Sequence, residues 1–201
     1  MRLKGIIPPI LTPFDEHGAV DLNRLHEFAR FLAAHVQGFY ICGSYGSGVL
    51  MNLEERKSVF EALSEFSDSN FQLIAHVGTT NLRDSIALAQ HAEEHGALAV
   101  AAVPPFYFRY NDALLYAFFR DLIEAVSIPV YLYDNPGATG NPVSIDLINQ
   151  LAGVGLHGVK DSTFDIGKTY QVMRSVNKED FDVVIGSESQ FLPAFMQGSG
   201  A

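Results

Sequence analysis

Lys160 ends a short, mainly apolar segment that begins at Gly155. Lysine is among the residues least often fully buried, so a lysine at the end of a buried strand is paired with an acid, exposed or reactive. Burial disfavours the charged ammonium and lowers its pKa, which leaves part of the lysine as free amine at neutral pH. A free amine attacks a carbonyl carbon and forms a Schiff base. We therefore predict Lys160 as a nucleophile, with an ordinary surface lysine at a strand end as the alternative.

Other reactive groups follow the apolar segments of the chain, at Thr12, 42–45, 76–78, 104–107, 133–135 and 186–188. They supply phenols, hydroxyl groups and glycine-rich turns with backbone N–H groups. Beside an amine these groups suit carbonyl chemistry, because a phenol can move protons and N–H or O–H donors can hold a carboxylate. Each also has a structural interpretation: Tyr133 as a core ring, 43–48 as a tight turn and Cys42 as a small buried thiol. The spacing of the turn is not that of a P-loop, so it is only a weak phosphate signal.

The segment 91–95 matches the H-x-x-E-H pattern of some zinc proteases through His91, Glu94 and His95. The helix predicted there belongs to the outer layer of the fold, away from every strand end. A motif has meaning only in its structural context, so the sequence does not favour a protease site here.

Strand-like and helix-like segments alternate strictly along the chain. Strands are predicted at 5–11, 38–42, 71–77, 97–103, 128–133, 156–160 and 181–185. Apolar periodicity and N-cap residues predict helices after Asp21 and Asn52 and at 81–95, 111–126, 144–151, 165–176 and 188–196. The strands are near-continuous apolar runs, which indicates parallel strands covered on both faces.

Two α/β architectures fit this alternation, an open doubly wound sheet and a (β/α)8 TIM barrel. The even repeat, and the absence of G-x-G-x-x-G after the first strand, favour the barrel. About seven βα units are present, whereas complete barrels have eight strands and about 250 residues. We therefore expect one domain, residues 1–201, that forms a TIM barrel without its eighth strand and C-terminal helices. Its site is expected at the C-terminal ends of the strands.

The composition excludes several classes of protein. The net charge of -10 argues against nucleic acid or an anionic membrane as the main partner. Cys42 is the single cysteine, so neither an intramolecular disulfide nor a cysteine-rich metal site is expected. No apolar run approaches the roughly 20 residues of a membrane span, and no signal peptide is recognisable, so a cytoplasmic location is expected.

Several short motifs occur together, in one order and at characteristic spacing: TPF at 12–14, GSYG at 43–46, LEER at 53–56, PFY at 105–107, YDNP at 133–136, TG at 139–140 and VKDS at 159–162. With them the chain resembles the dihydrodipicolinate synthase / N-acetylneuraminate lyase family of class I, Schiff-base aldolases. The resemblance extends over essentially all 201 residues.

The resemblance implies a role for each candidate residue. Lys160 corresponds to the Schiff-base lysine that captures pyruvate or a related 2-oxo acid, and Tyr133 to the catalytic tyrosine that shuttles protons. Ser44 and Tyr45 correspond to the turn that binds the substrate carboxylate. In family tetramers, a tyrosine at the position of Tyr107 completes the proton relay of a neighbouring subunit. Gly186 lies where the seventh strand borders the 2-oxo acid.

Three positions depart from the family pattern. Tyr45 replaces the usual threonine of the turn, and Ser47 replaces its glutamate. Ala138 stands where dihydrodipicolinate synthases carry an arginine that holds the carboxylate of the second substrate. These differences argue against a dihydrodipicolinate synthase proper and leave the aldehyde partner open.

The resulting hypothesis is a lyase or aldolase that uses a 2-oxo acid and an aldehyde, needs no cofactor or metal, and forms a homo-oligomer, either tetramer or dimer. One alternative is a catalytically incompetent fragment or scaffold of this fold, with open sheet edges available for pairing. The other is a barrel enzyme for phosphorylated sugars, which is less favoured because no basic residue accompanies the glycines near the usual phosphate site.

Overall fold

A computed structural model describes residues 2–67, 71–176, 178 and 180–201. Six parallel strands form one curled sheet, and their order in the sheet equals their order in the chain. The strands are β1 (Gly38–Ile41), β2 (Gln72–His76), β3 (Ala99–Ala102), β4 (Val130–Asp134), β5 (Gly158–Asp161) and β6 (Asp182–Ile185). The α/β class and the parallel alternation predicted from the sequence are therefore confirmed.

Helices connect the strands and cover the outer face of the sheet. They are α1 (Leu22–Ala33), α2 (Leu53–Leu63), α3 (Leu82–Glu94), α4 (Asp112–Glu124), α5 (Pro136–Thr139), α6 (Ile145–Gly153), α7 (Ile166–Ser175) and α8 (Glu188–Phe195). The one-turn helix α5 was not expected from the sequence. It begins with Pro136 at its first turn and ends at Gly140, whose φ is 70°. None of the described helices is long and apolar enough to cross a bilayer.

Local sequence explains where the longer helices begin. The Asn52 side chain accepts a hydrogen bond from the Glu55 N–H, and the Glu55 carboxylate accepts one from the Asn52 N–H, a complete capping box for α2. The side chains of Asp21, Asn81, Asn111, Ser144 and Asp165 likewise accept a hydrogen bond from the first turn of the following helix.

Residue alternation along the strands separates two apolar clusters. On β1, Phe39 and Ile41 belong to the large cluster between sheet and helices, whereas Tyr40 faces the inside of the curl. Tyr131 and Tyr133 of β4 face the same interior. The interior cluster is small and holds Leu3, Tyr40, Ile74, Ala99, Ala101, Val103, Tyr131, Tyr133 and Ala201. The inside of the curl therefore consists of phenols among a few aliphatic side chains, three of them alanines, which leaves space for a cavity.

The predicted first strand, 5–11, is an extended segment rather than a full strand. It lies parallel to β1 and pairs with it through a bridge between Pro9 and Tyr40. The Tyr40 N–H donates to Pro8 O at 2.9 Å, and the Ile10 N–H donates to Tyr40 O at 3.1 Å. Pro8 and Pro9 have no N–H to donate, so a continuous ladder cannot form along this segment.

The expectation that the position of an eighth strand stands empty is not confirmed. The Gly5 N–H donates to Gly200 O at 3.0 Å, and the Ile185 N–H donates to Ala201 O at 3.0 Å. Residues 200–201 thus lie between the N-terminal segment and β6 and hydrogen-bond to both. The Leu3 N–H also donates to the Asp182 carboxylate at 2.9 Å, which ties the N-terminal segment directly to β6.

Candidate active site

Lys160 lies on β5 with its amine inside the curl of the sheet. Its Nζ is 3.4 Å from the centroid of the Tyr133 ring and 4.9 Å from the centroid of the Tyr40 ring. Register explains the first contact, because Tyr133 and Lys160 are directly paired across β4 and β5. Both side chains line a cavity of about 550 Å³, together with Ser44, Asn135 and Gly186 just beyond the ends of strands.

The amine and the phenol change each other's proton affinity. Burial lowers the pKa of Lys160, and the neighbouring Tyr133 and Asp161 oppose this effect only in part. Burial alone would raise the pKa of Tyr133. The charge of Lys160, with hydrogen bonds from Lys160, Ser44 and Ser162, outweighs burial, so the pKa of Tyr133 is lowered. The site therefore has an amine that loses its proton more readily and a phenol that gives one up more readily than usual.

Tyr133 is held in position by its surroundings. Its hydroxyl accepts a hydrogen bond from Asn135 Nδ2 at 3.2 Å, in addition to its bonds with Lys160 and the two serines. Asn135 lies just beyond the end of β4, so strand and loop together orient the phenol. Donors around the phenol favour its deprotonated form, and a phenolate in this position can accept a proton and return it at one place.

Gly186 follows β6 and lies against the reactive amine. A Cβ atom at this position would lie 2.0 Å from Ser162 Oγ and 3.1 Å from Lys160 Nζ. A larger residue would therefore collide with Ser162 and crowd the amine. Glycine here leaves the space beside Nζ open.

Ser44 and Tyr45 belong to a tight turn that follows β1. The Ser47 N–H donates to Ser44 O at 3.2 Å, and the Thr12 hydroxyl donates to Gly46 O at 2.7 Å. A Cβ atom on Gly46 would lie 2.9 Å from the carbonyl oxygen of Ile10, so the turn needs glycine to pack against the N-terminal segment. Ser44 and Tyr45 both line the cavity, and Tyr45 is 72% exposed.

Tyr107 does not lie with the other candidate residues in this chain. It is 88% exposed, has a φ of 82° and packs edge-on against Phe108 with ring centroids 4.9 Å apart. It is not among the described residues that line the cavity. Its predicted role in a neighbouring subunit remains a prediction.

Two buried rings lie next to the amine: His76, which the sequence analysis placed among the strand-end groups, and Tyr40, which it missed. The rings of Tyr40, His76 and Tyr133 form a triangle with centroid separations of 5.9 to 6.0 Å. Within the described part of the chain, the Tyr40 hydroxyl and His76 Nε2 have no hydrogen-bond partner. Burial, with the nearby charges of Arg56 and Lys160, lowers the pKa of His76 well below its usual value, so this ring is neutral. The alternation of side chains along β1 was the signal that could have identified Tyr40.

Other groups at the strand ends face away from the cavity. Asp134 and Asp161 follow Tyr133 and Lys160 directly, so strand alternation turns their carboxylates toward the helices. Asp134 binds Lys168 Nζ at 2.5 Å, and Asp161 accepts hydrogen bonds from Thr163 and Thr169 at 2.7 Å each. These carboxylates support the fold. Burial raises the pKa of Cys42 to about 11, in keeping with a structural thiol.

The cavity contains few charged groups. Of the described residues that line it, Lys160 is the one cation and Glu188 is the one carboxylate. Phe164 and Phe191 line it as well, and both are exposed. A single carboxylate gives this lining no set of metal ligands. The arrangement places an amine beside a phenol, in a cavity large enough for a small organic substrate.

Comparison with known proteins identifies related sequences over nearly the whole chain. The 4-hydroxy-tetrahydrodipicolinate synthase of Methanococcoides burtonii is 30% identical over 197 residues, which are 97% of this chain and 67% of the relative. The N-acetylneuraminate lyase of Rhizobium meliloti is 30% identical over 200 residues, 99% of this chain and 66% of the relative. The chain thus spans about two thirds of the length of these relatives.

Solved structures agree with the sequence relatives. A prophage protein of the dihydrodipicolinic acid synthase family from E. coli K12, crystallised in complex with pyruvate, superposes with a TM-score of 0.93 at 28% identity. The superposition covers 98% of this chain and 68% of that protein. The model of the dihydrodipicolinate synthetase family matches residues 2–201. The resemblance inferred from the motifs is confirmed, and the chain belongs to the dihydrodipicolinate synthetase family.

Proposed function

We propose that this protein is an aldolase-type lyase that acts on a 2-oxo acid of the pyruvate type through a Schiff base on Lys160. The observation that carries the proposal is the position of Lys160 Nζ, inside a cavity and 3.4 Å from the centroid of the Tyr133 ring, with a pKa that burial lowers. The relatives include lyases, and the E. coli relative was crystallised with pyruvate, which supports the same substrate class.

The proposed chemistry follows from an amine next to a proton carrier. The free amine of Lys160 attacks the carbonyl carbon of the 2-oxo acid, and loss of water gives an iminium ion. In cleavage, the phenolate of Tyr133 accepts the proton of the substrate hydroxyl, the carbon–carbon bond breaks, and an aldehyde leaves. The electron pair of that bond flows into the iminium and forms an enamine. Protonation of the enamine carbon and addition of water release the 2-oxo acid and restore the amine.

The turn at 43–46 is the proposed site for the substrate carboxylate. The Ser44 hydroxyl and the backbone N–H groups of the turn are suitable donors for an anion, and Ser44 also bonds to Tyr133. A substrate whose carboxylate is bound at the turn would have its 2-oxo carbon between the turn and Lys160. Gly186 leaves room for it on the opposite side.

The second substrate is proposed to be an uncharged aldehyde. Ala138 occupies the position where the family resemblance expects an arginine in dihydrodipicolinate synthases, and it does not line the cavity. Lys160 is consumed by the Schiff base, so the described lining keeps no cation for a second carboxylate or a phosphate.

We expect neutral aldehydes to turn over faster than aldehydes with a carboxylate or phosphate group in a condensation assay with pyruvate. A preference for the charged aldehydes would contradict this proposal.

Tyr107 is proposed to act in the site of a neighbouring subunit of a homo-oligomer. It is exposed and outside the cavity of its own chain, so any catalytic role requires a second copy. Mixing the variants Lys160→Ala and Tyr107→Phe tests this, because each supplies the residue that the other lacks. Activity of the mixed oligomer above that of either variant alone is expected. Additive residual activities would contradict a role for Tyr107 across subunits.

Borohydride trapping with pyruvate tests the central proposal. Borohydride reduces an iminium to a stable amine, and peptide mass mapping then locates the adduct. We expect one adduct on Lys160 in the wild type and none in Lys160→Ala. Lys178→Ala is the matched control, because burial also lowers the pKa of Lys178 but its amine binds Leu156 O at 2.7 Å outside the cavity. An adduct that persists in Lys160→Ala, or folded wild-type protein that forms none, contradicts the proposal and favours a scaffold.

A further inference from the structure

Two histidines and a glutamate meet on the outer helical layer, away from the cavity. His91 lies on α3, with His95 directly after the end of that helix, and Glu61 lies on the neighbouring helix α2. Glu61 Oε1 is 2.8 Å from His91 Nε2 and 3.9 Å from His95 Nε2. One ligand-type atom from each residue lies within 4.8 Å of the other two. The cluster, called here the α2–α3 cluster, is therefore compact enough to surround one ion.

The orientation of His95 leaves one nitrogen free to bind. Its Nδ1 lies 2.8 Å from the backbone carbonyl oxygen of His91. A carbonyl oxygen only accepts, so Nδ1 carries the hydrogen and the lone pair of the neutral ring is at Nε2, which faces Glu61. Metal-binding histidines commonly use their second nitrogen in this way, to bond a carbonyl and fix the ring. The two imidazoles are stacked, with centroids 4.2 Å apart and planes 25° apart, so both present Nε2 to the same carboxylate.

The distances in the α2–α3 cluster suit a tetrahedral ion after small movements. Bonds of about 2.0–2.1 Å from zinc to nitrogen or oxygen put neighbouring ligands roughly 3.3 Å apart in a tetrahedron. The observed separations from Glu61 Oε1, 2.8 and 3.9 Å, lie on either side of that value. Imidazole nitrogens with one carboxylate form a ligand set used for zinc, and water would complete the fourth position.

The cluster does not correspond to the zinc protease motif, although it uses both histidines of that motif. Glu94 is not part of the group of three, and the carboxylate comes from α2 instead. The nearest cation on α2, Lys57, is engaged by Glu54 at 2.9 Å. His26 and Glu65 make an ion pair elsewhere at the same 2.8 Å, and the second group near that carboxylate oxygen is the Arg30 guanidinium, with Nε at 3.9 Å. In the α2–α3 cluster the second group is an imidazole, which unlike a guanidinium can bind a metal ion.

We propose that Glu61, His91 and His95 form a binding site for a divalent transition metal of the zinc class, which links α2 to α3. The ion would replace the hydrogen between His91 and Glu61 and add a bond to His95. Because the ligands come from two helices, binding is expected to stabilise the packing of these helices rather than to take part in the reaction at Lys160. The proposal does not depend on the proposed function.

Titration of the metal-free protein with zinc chloride tests the site. We expect one ion per chain in the wild type, and binding weakened by roughly tenfold or more in Glu61→Gln and in His95→Ala. His26→Ala, which removes the histidine paired with Glu65 outside the cluster, should bind zinc like the wild type. Zinc should raise the melting temperature of the wild type and of His26→Ala, and raise it less in the two cluster variants.

Cobalt provides a second readout, since the intensity of its visible absorption distinguishes four-coordinate from six-coordinate ions. We expect a four-coordinate spectrum in the wild type that is lost in His95→Ala. Glu61→Gln is isosteric, so its folding is preserved even if His95→Ala is poorly folded. Equal zinc affinity in the wild type and both cluster variants, or no binding at millimolar zinc, would overturn the proposal.

Discussion

The amine of Lys160 and the phenol of Tyr133 influence each other at the scale of single residues, because they lie in direct contact inside the cavity. Tyr133 raises the pKa of Lys160 against the larger effect of burial. In Tyr133→Phe the pKa of Lys160 should therefore fall further, and the rate of borohydride trapping should reach its midpoint at a lower pH. Turnover should fall by about 10²–10⁴-fold, because the proton carrier is lost while the amine remains.

Tyr131→Phe is the matched control for this prediction. Tyr131 lies two residues earlier on the same face of β4, but its hydroxyl donates to Asp182 at 3.0 Å and does not reach Lys160. Its removal should leave the pH profile of trapping unchanged. A profile that shifts equally in both variants would mean that Tyr133 has no specific influence on the amine.

Single site residues could be predicted from the sequence where a side chain of reactive type stands at the end of a predicted strand. Lys160, Tyr133, Ser44 and Gly186 could be named because each follows or ends an apolar segment, and parallel strands bring such positions together. Tyr40 was not predicted, because it lies inside a strand and its importance comes from the partner that the curl of the sheet brings near it.

At the scale of elements, the ion pair between Asp134 and Lys168 fastens β4 to α7. The Asp134 carboxylate is 1% exposed, and Lys168 donates both to it and, at 2.6 Å, to Val143 O. Lys168→Met would leave a buried carboxylate without its cation. We expect this substitution to lower the free energy of unfolding by about 3–5 kcal/mol, measured by urea denaturation.

Two further variants distinguish the cost of an unpaired buried carboxylate from the loss of a positive charge in general. Asp134→Asn combined with Lys168→Met should recover part of the lost stability, since no unpaired charge is then buried. Lys57→Met removes the cation of the exposed pair with Glu54 and should change stability by about 0.5 kcal/mol or less. Equal losses in Lys168→Met and Lys57→Met would contradict the importance of burial.

Most helices and strands could be predicted because their signals are local. Capping residues such as Asn52 and Asp165, and apolar runs such as 97–103, determine where elements begin and end. The segment 5–11 was wrongly predicted as a full strand, because its apolar character suggested a ladder that Pro8 and Pro9 cannot donate to.

At the scale of the whole molecule, residues 200–201 join the N-terminal segment to β6. A Cβ atom on Gly200 would lie 2.7 Å from the carbonyl oxygen of Leu3, so Gly200→Ala should push the two segments apart. We expect faster hydrogen exchange at the amides of Gly5 and Ile185, which donate across this junction. Exchange within β2 and β3, on the far side of the sheet, should be unchanged.

Gly153→Ala is the control, because a Cβ atom there meets nothing within 4 Å. It should leave exchange at the junction as in the wild type. Uniformly faster exchange through all six strands of Gly200→Ala would show that the junction is not a separate unit and would contradict this prediction.

By itself, the sequence determined the α/β class, the order of the elements and the family, because periodicity, capping and short motifs are properties of neighbouring residues. It also predicted Lys160 as the nucleophile. Only the tertiary structure decided how Tyr40, His76 and Tyr133 surround the amine and how residues 200–201 fill the junction. It also brought Glu61 of α2 to His91 and His95. Each of these contacts joins residues far apart in the chain, so it depends on strand register, sheet curvature and helix packing, which no local pattern specifies.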